Sequence, residues 1–400
     1  MKFCSKEQSV FPQNATDNNR LIYLDNIRVL LTILVVATHL AITYGPSGPW
    51  VYYERTSDSI TNFILTMFFS INLAFLMGCF LIFSGYFVPE AFERKGALKF
   101  LSSRCFRLGI PGLLYFFILH PTVVYIEEFF IDKSINVSYW TFLTDSLLHF
   151  DNFGVGPLWF VFALLIFSFV YVLGRLVIKP LQTKEKSLSN RTVFIFTVVI
   201  TLVLIAVRVT IPKNMAFSIK FSYFLKYIGF FVLGVINYRR KWFQNLTGPV
   251  VKIWSKITLV TLLIWPVMFV FGGGLNIGID EFTKGAKMGN LTPFLGGMNW
   301  QTISYAIWET FFSMGACISL FNLFQQRFNY QGKLLKNMSL SAYTVYLIHT
   351  PIIALLAYGL RDIQIYPLLK FILVSIIGVS ICFLVSHHMI LKLPGAKKIL

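Results

Sequence analysis

The chain has 400 residues, of which 56% are hydrophobic and only 13% are charged. An average soluble domain is about 25% charged, so the composition excludes an ordinary soluble protein and predicts a membrane protein. The net charge of +18 would suit a nucleic-acid binder, but the Lys and Arg residues lie in short segments between apolar runs, as is typical of membrane proteins. We therefore expect the lipid bilayer as a partner and no nucleic acid.

Continuous apolar runs predict an all-α, polytopic bundle of about ten transmembrane helices, because a barrel would show short alternating strands instead. The turns "TIPKNMAF" and "LRDIQIYP", each containing a proline, mark the two shortest breaks between spans. The predicted spans are residues 24–45, 61–88, 108–130, 156–178, 192–211, 217–238, 250–272, 300–325, 340–360 and 366–391.

The basic residues predict the orientation of the bundle. With the N-terminus inside, the inner segments hold 25 of the 35 Lys and Arg residues and the outer segments hold seven, which places both termini in the cytoplasm. Residues 1–20 form a predicted polar cytoplasmic segment, 21–392 a single transmembrane domain and 393–400 a short basic cytoplasmic tail. The outer loops 131–155 and 273–299 are too short to bury cores of their own.

The first span contains "NIRVLLTILVVATHL", with Arg28 and His39 eleven residues apart. At about 100° per residue this spacing puts both side chains on one helix face, about 16 Å apart along the axis. Ionisable groups are costly in lipid, so this face is predicted to point at a polar interior. One interpretation is a snorkelling arginine and a histidine hydrogen-bonded within the bundle. The other is a functional site in which a neutral imidazole serves as general base.

The third span opens with "FLSSRCFRLGIPGLLYF", in which Arg104 and Arg107 are three residues apart. On a regular helix they would project from one face. Two guanidinium groups at a cytoplasmic membrane edge suit phosphate binding. For an isolated pair, ordinary anchoring at the inner interface is the better interpretation.

Two aromatic and histidine motifs are further candidates. His349, in "YLIHTP", falls in the middle of a span, with Tyr343 and Tyr346 preceding it at three-residue spacings. These residues either line a cavity or pack in the core. Trp159, in "VGPLWFVF", is a sugar platform or, slightly better, part of an interfacial aromatic belt.

Two other histidines have simpler interpretations. His120 precedes Pro121 and is expected to satisfy carbonyls that a proline kink frees. His149 lies in an outer loop with Asp145 and Asp151; contact with an acceptor is one interpretation, and solvation of the loop is the better one.

Four motifs occur in a fixed order along the chain: R-x10-H in the first span, R-x-x-R at the third, "GPLWFVFALLIF" at the fourth and "SAYTVYLIHTPII" near the end. Together they resemble the acyltransferase-3 family of integral membrane acyltransferases, over residues 21–392. Within that family, "FVLGVINYRRKW" and "IWET" look nearest to the glucan-modifying, succinyltransferase-like branch.

The resemblance implies an enzyme of a bacterial plasma or inner membrane that moves an acetyl or succinyl group from cytoplasmic acyl-coenzyme A to a hydroxyl of an extracytoplasmic glycan. His39 would be the catalytic base, and Arg28 would help to position the donor. Arg104 and Arg107 would bind the phosphates of coenzyme A. No metal is implied, and a homo-oligomer is one alternative for the assembly.

Two chemical routes fit this reaction. In the first, His39 accepts the proton of the acceptor hydroxyl as that hydroxyl attacks the thioester. In the second, an acyl-imidazole forms on His39. The direct route is favoured because the sequence shows no obvious group that would activate His39 as a nucleophile.

Two buried charges are expected to sit near mid-depth: Lys226 in "YFLKYIGFF" and Glu309 in "IWETFF". They form either an ion pair or separate polar networks, because an unpaired charge there is expensive. A sharper hypothesis puts Lys226 and Glu309 at the substrate, with Lys226 receiving the free carboxylate of a succinyl donor. Arg208 and Lys370, near outer span ends, are expected to snorkel.

A secondary transporter of a small anionic or carbohydrate-like solute is the competing function. Ten spans and mid-membrane charges fit that class as well. We find neither paired broken helices nor repeated halves in the sequence, which disfavours it. A second alternative keeps the family and changes the acceptor to another envelope polysaccharide.

Overall fold

The computed structural model of the protein describes residues 21–45, 48, 50–178, 185–210, 216–243, 245–273, 294 and 296–396, with side chains of the seventh helix from residue 223 onward. These ranges contain helices and turns and no strand, which confirms the all-α prediction. The predicted segment 1–20, most of the Gly-rich outer loop, the centre of the "TIPKNMAF" turn and the last four residues of the predicted tail lie outside the described residues.

Eleven helices occur in the described ranges. Nine of them are long and apolar enough to cross a membrane, which makes the protein a multi-pass membrane protein. The helix α7 coincides with the predicted sixth span, and the short α4 in the first long outer loop was not predicted. The helices are α1 Ile22–Tyr44, α2 Ser59–Lys95, α3 Ala97–Ile131, α4 Tyr139–His149, α5 Trp159–Val177, α6 Asn190–Thr210, α7 Ala216–Arg240, α8 Gly248–Phe271, α9 Trp300–Arg327, α10 Lys333–Gly359 and α11 Pro367–His388.

The helices α2 and α3 differ most from the predicted spans. α2 continues through Pro89 to Lys95, and Gly96, with φ of 74°, turns the chain directly into α3. Only glycine adopts such a φ at little cost. α3 therefore begins well before the predicted start at residue 108, and three π-helical turns interrupt it, at Cys105–Gly109, Tyr115–Leu119 and Ile126–Ile131.

Side chains just outside α2 and α4 cap their first turns. The carboxylate of Asp58 accepts hydrogen bonds from the Thr61 N–H at 2.9 Å and from the Thr61 hydroxyl at 2.5 Å. These bonds lower the pKa of the Asp58 carboxyl because they favour its charged form. Ser138 Oγ accepts the Thr141 N–H at 3.2 Å in the same way at α4.

The first helix lies inside the bundle. α1 packs against α2, α9, α10 and α11, and buried residues occur all around it, among them Asp25, Asn26 and Thr32. Protein atoms rather than lipid therefore surround most of its polar side chains, which is the setting in which ionisable groups persist at membrane depth.

α2 and α7 cross in very close contact through two glycines. A Cβ on Gly85 would overlap the carbonyl oxygen of Phe231, and a Cβ on Gly234 would overlap that of Ile82. Small residues allow backbones in membranes to approach this closely. The α2–α7 pair forms a wall with a cavity on each side, and the two cavities are described below.

Candidate functional site

An internal cavity of about 120 Å³ lies between α1, α2, α5, α7 and α10. His39 and Thr38 of α1 line it, together with Asn72 of α2. The face of α1 that carries His39 thus borders an enclosed space within the bundle. The other lining residues are Val35, Ile42, Phe69, Leu73, Leu76, Met77, Pro157, Trp159, Tyr227 and Tyr346.

The imidazole of His39 is held between two flat rings. It stacks on Trp50 at a centroid distance of 4.3 Å and on His349 at 4.9 Å, with only 6° between the two imidazole planes. Nδ1 of His39 is buried without a hydrogen-bond partner among the described residues. The interpretation of His39 as a histidine tied into the bundle by hydrogen bonds therefore fails at this nitrogen, which is free for proton chemistry.

His349 is fully buried on α10, and its environment fixes its tautomer. Its Nδ1 lies 2.8 Å from the carbonyl oxygen of Tyr346, so Nδ1 must carry the hydrogen and donate it. In the neutral ring Nε2 then has a free lone pair, and this atom is buried without a partner in the described structure. Two unpartnered imidazole nitrogens thus belong to a pair of stacked rings.

A row of three side chains on α10 connects this pair with α3. Tyr343 donates its hydroxyl to the carbonyl oxygen of Arg107 at 3.1 Å. One turn further along, Tyr346 donates to the carbonyl oxygen of Pro157 and lines the cavity, and His349 follows another turn along. We call Tyr343, Tyr346 and His349 the α10 row.

Trp159 begins α5 and faces inward. Its indole stacks on the ring of Tyr227 at 5.4 Å, and both rings line the cavity. An interfacial belt, the interpretation that the sequence slightly favoured, is therefore wrong for Trp159. Trp50 was missed because it lies in the loop after α1, where the aromatic-rich "PWVYY" was the only signal.

The three candidate arginines lie away from this cavity, and none of them is among its lining residues. Arg28 is 39% exposed at its side chain and pairs with Asp25 at 3.2 Å. A π turn starts directly after Arg104, so the expectation that Arg104 and Arg107 share a face of a regular helix is wrong. Arg104 is half-buried over the ring of Phe100, and Arg107 is exposed.

Arg104 and Arg107 nevertheless belong to one basic cluster at the junction of α2 and α3. Their charges act on Lys95, as does that of Arg94. Nζ of Lys95 donates to Ser103 Oγ at 2.8 Å. We call these four residues the basic corner; the sequence signal that would have added Arg94 and Lys95 is "ERK" directly before the turn at Gly96.

Lys226 and Glu309 form the buried ion pair that was one of the two structural interpretations. Lys226 also donates to the carbonyl oxygen of Ala74 at 3.1 Å. Arg208 joins from α6, with Nη2 at 2.7 Å from Oε2 of Glu309. Arg208 is 3% exposed, so the expectation that it snorkels is wrong: a carboxylate inside the protein holds it.

This triad lies beside the cavity and not in its wall. Neither Lys226 nor Glu309 lines the cavity, whereas Tyr227, the next residue to Lys226, does. The ammonium of Lys226 is already paired, so the hypothesis that it receives a succinyl carboxylate finds no support in this arrangement.

The remaining polar candidates have local partners. Lys370 is buried against Glu54 at 2.5 Å rather than snorkelling. Nδ1 of His120 lies 2.9 Å from the carbonyl oxygen of Asn152, a loop carbonyl and not one that a proline kink frees. His149 is exposed beside Asp145, and a solvated loop accounts for it.

The comparisons with known proteins bear on the whole bundle. A family model described as an acyltransferase domain, that of the acyltransferase-3 family, matches residues 21–387. The search of curated proteins and the search of solved structures found no match. The matched range extends from the start of α1 to the last turn of α11 and includes His39, the basic corner and the α10 row. The chain therefore belongs to the acyltransferase-3 family and is a membrane acyltransferase.

Proposed function

We propose that the protein is an O-acyltransferase that moves an acyl group from acyl-coenzyme A, arriving from the cytoplasm, to a hydroxyl of an extracytoplasmic glycan. The observation that carries the proposal is the environment of His39. Its imidazole borders an internal cavity, is held by stacking on both faces and keeps an unpartnered Nδ1. A general base needs a free lone pair within reach of a bound hydroxyl.

The proposed chemistry is a direct transfer. The acceptor oxygen attacks the thioester carbon while the hydroxyl proton passes to His39, and the carbon–sulfur bond then breaks. The leaving thiolate takes the proton from the imidazolium, which regenerates the neutral ring. The described residues place no acidic side chain against Nδ1 of His39, which favours this route over an acyl-imidazole intermediate.

The donor would approach from the basic corner. Coenzyme A carries several negative charges and cannot enter lipid, and guanidinium groups suit its phosphates. The α10 row begins with Tyr343 at the Arg107 carbonyl and ends with His349 against His39. A pantetheine arm laid along this row would deliver the thioester to His39. Because the arginines do not line the cavity, we expect the path along the row to widen when the donor binds.

Aromatic faces supply the acceptor side. The stacked pair of Trp159 and Tyr227 lines the cavity, and Trp50 covers His39 from the loop after α1. Rings of this kind pack against the apolar faces of sugars and keep water from the thioester. The acyl group would be acetyl or succinyl, the acceptor a glucan or another envelope glycan, and the membrane the plasma or inner membrane of a bacterium.

Thioester consumption by the purified protein tests the proposal. We expect release of free coenzyme A from acetyl- or succinyl-coenzyme A that depends on an added oligosaccharide and is lost in His39→Ala. The matched control is His149→Ala, at an exposed histidine of α4, which should keep wild-type rates. A secondary transporter has no reason to consume the thioester, so the absence of release by the wild type with any oligosaccharide would contradict the proposal.

A further inference from the structure

A second and larger cavity, of about 350 Å³, lies on the opposite side of the α2–α7 pair, between α6, α7 and α9. It shares no lining residue with the cavity at His39. Its wall includes Leu233 of α7 and Met314 of α9. Val199 of α6 also lines it and is 53% exposed, on the helix surface that faces lipid in a membrane. We call this space the lateral cavity.

Two hydrogen-bond donors in the wall of the lateral cavity are buried and unpaired. Asn237, near the end of α7, is 0% exposed, and Trp242, just past that end, is 9% exposed. Nδ2 of Asn237 and Nε1 of Trp242 have no partner among the described residues. The other end of the Asn237 amide is fixed, because its Oδ1 accepts the N–H of Phe243 at 2.8 Å. A buried donor left unsatisfied costs about 1–3 kcal/mol, so two together indicate a missing acceptor.

Water does not suit the rest of this space. By the same measure one water needs only about 10–15 Å³ and two to four polar partners, whereas the wall beyond these donors is almost entirely Ile, Leu, Val, Phe, Met and Cys. An occupant with a long apolar body and an acceptor oxygen at one end satisfies both the wall and the two donors.

Basic residues surround the end of the cavity that holds the donors. Lys186 and Arg191 precede and open α6, and Arg240 ends α7, with the Lys186 N–H on the Arg240 carbonyl oxygen at 3.3 Å. None of these three side chains is in an ion pair within the described ranges, while the neighbouring Lys241 pairs with Glu185. A free cationic patch thus sits beyond the two donors, where a membrane surface would meet the helix ends.

We propose that the lateral cavity binds one anionic glycerophospholipid from the adjacent leaflet. One acyl chain fills the apolar space, an ester carbonyl accepts hydrogen bonds from Asn237 Nδ2 and Trp242 Nε1, and the phosphate lies among Lys186, Arg191 and Arg240. The order of apolar wall, donors and cations matches the order of chain, ester and phosphate in such a lipid. The site is separate from the acyl-transfer site and does not depend on the proposed reaction.

Native mass spectrometry of the detergent-purified protein tests this site, with phosphatidylglycerol and phosphatidylcholine as probes at equal concentration. We expect the wild type to retain one phosphatidylglycerol under conditions that strip loosely bound lipid, and to retain phosphatidylcholine far less. Leu233→Trp, which fills the cavity, should abolish retention. Trp242→Phe removes only the indole N–H and should weaken binding about fivefold, the effect of one hydrogen bond.

Leu263→Trp is the matched control, because Leu263 is 64% exposed on α8 and does not line the cavity. It should retain lipid like the wild type. Absence of a retained lipid in the wild type, or equal retention in Leu233→Trp, would overturn the site. Equal retention of the two lipids would overturn its selectivity for an anionic headgroup.

Discussion

The imidazole rings of His39 and His349 lie parallel, 4.9 Å apart, on two helices that are far apart in the sequence. His39 lines the cavity and is proposed to move the proton, whereas His349 is fixed behind it through the Tyr346 carbonyl. In this arrangement His349 is a positioning residue, since it holds the plane of the ring that reacts.

His349→Phe should reduce the turnover rate, kcat, about tenfold, and by much less than His39→Ala. The phenyl ring keeps a flat surface against His39 but loses the bond to Tyr346, so the reacting ring is held less well, and small errors of position are costly in catalysis. Rates of coenzyme A release for the two variants check this. A loss in His349→Phe as large as that in His39→Ala would mean that His349 takes part in the proton transfer itself.

Arg107→Gln and Arg104→Gln should each raise the KM for acyl-coenzyme A about tenfold or more and leave kcat nearly unchanged. A hydrogen bond to a charged group contributes about 1.5–3 kcal/mol, and uniform binding energy of this kind appears in KM. Steady-state kinetics with varied donor concentration provide the test. The control is Arg361→Gln, at a half-exposed residue that pairs with Asp362 away from the basic corner; an equal effect there would refute a specific phosphate site.

Glu309→Gln should destabilise the protein more than Lys226→Met does. Losing Glu309 leaves Lys226 and Arg208 buried without an anion, and breaking a buried pair in this way costs about 3–5 kcal/mol. Losing Lys226 leaves the pair of Arg208 and Glu309 intact. Thermal unfolding in detergent measures the order of the two effects, and the reverse order would contradict the triad.

The donor preference of Lys226→Met separates a structural role from a substrate role. We expect any loss of rate to be the same with acetyl- and succinyl-coenzyme A, because Glu309 already occupies the ammonium group. A loss confined to the succinyl donor would restore the hypothesis that Lys226 binds a donor carboxylate.

Gly234→Ala and Gly85→Ala should each lower stability by about 1–3 kcal/mol, the usual cost of overpacking. The added methyl groups meet backbone carbonyl oxygens across the α2–α7 crossing, which cannot move aside as a side chain can. Gly174→Ala is the control: a Cβ there meets no atom within 4 Å, and alanine is the better helix former. Equal melting temperatures for all three variants would show that the crossing is looser than described.

The sequence predicted the bundle well because long apolar runs are a local signal. It also singled out Arg28 and His39, since their spacing can be read along one helix. The partners of the buried charges were harder, because Arg208 meets Glu309 and Lys370 meets Glu54 across large sequence separations. Without those partners, snorkelling was the simplest expectation for both cations.

The wall of the reactive cavity shows the same limit. Trp50 comes from a loop, and His349 from a helix near the other end of the chain; only packing brings them to the two faces of His39. The π turns of α3 have no periodic signal of their own in the sequence, and they changed the relation between Arg104 and Arg107.

The most direct measurement is mass spectrometry of envelope glycans from cells that carry either the wild-type protein or His39→Ala. General base catalysis contributes about 10²–10⁴-fold to a rate, so we expect an acyl modification that is present with the wild type and nearly absent with His39→Ala at equal protein levels. The added mass would identify the acyl group, and its position would identify the acceptor hydroxyl. Identical modifications in the two strains would contradict the assignment of His39 as the base.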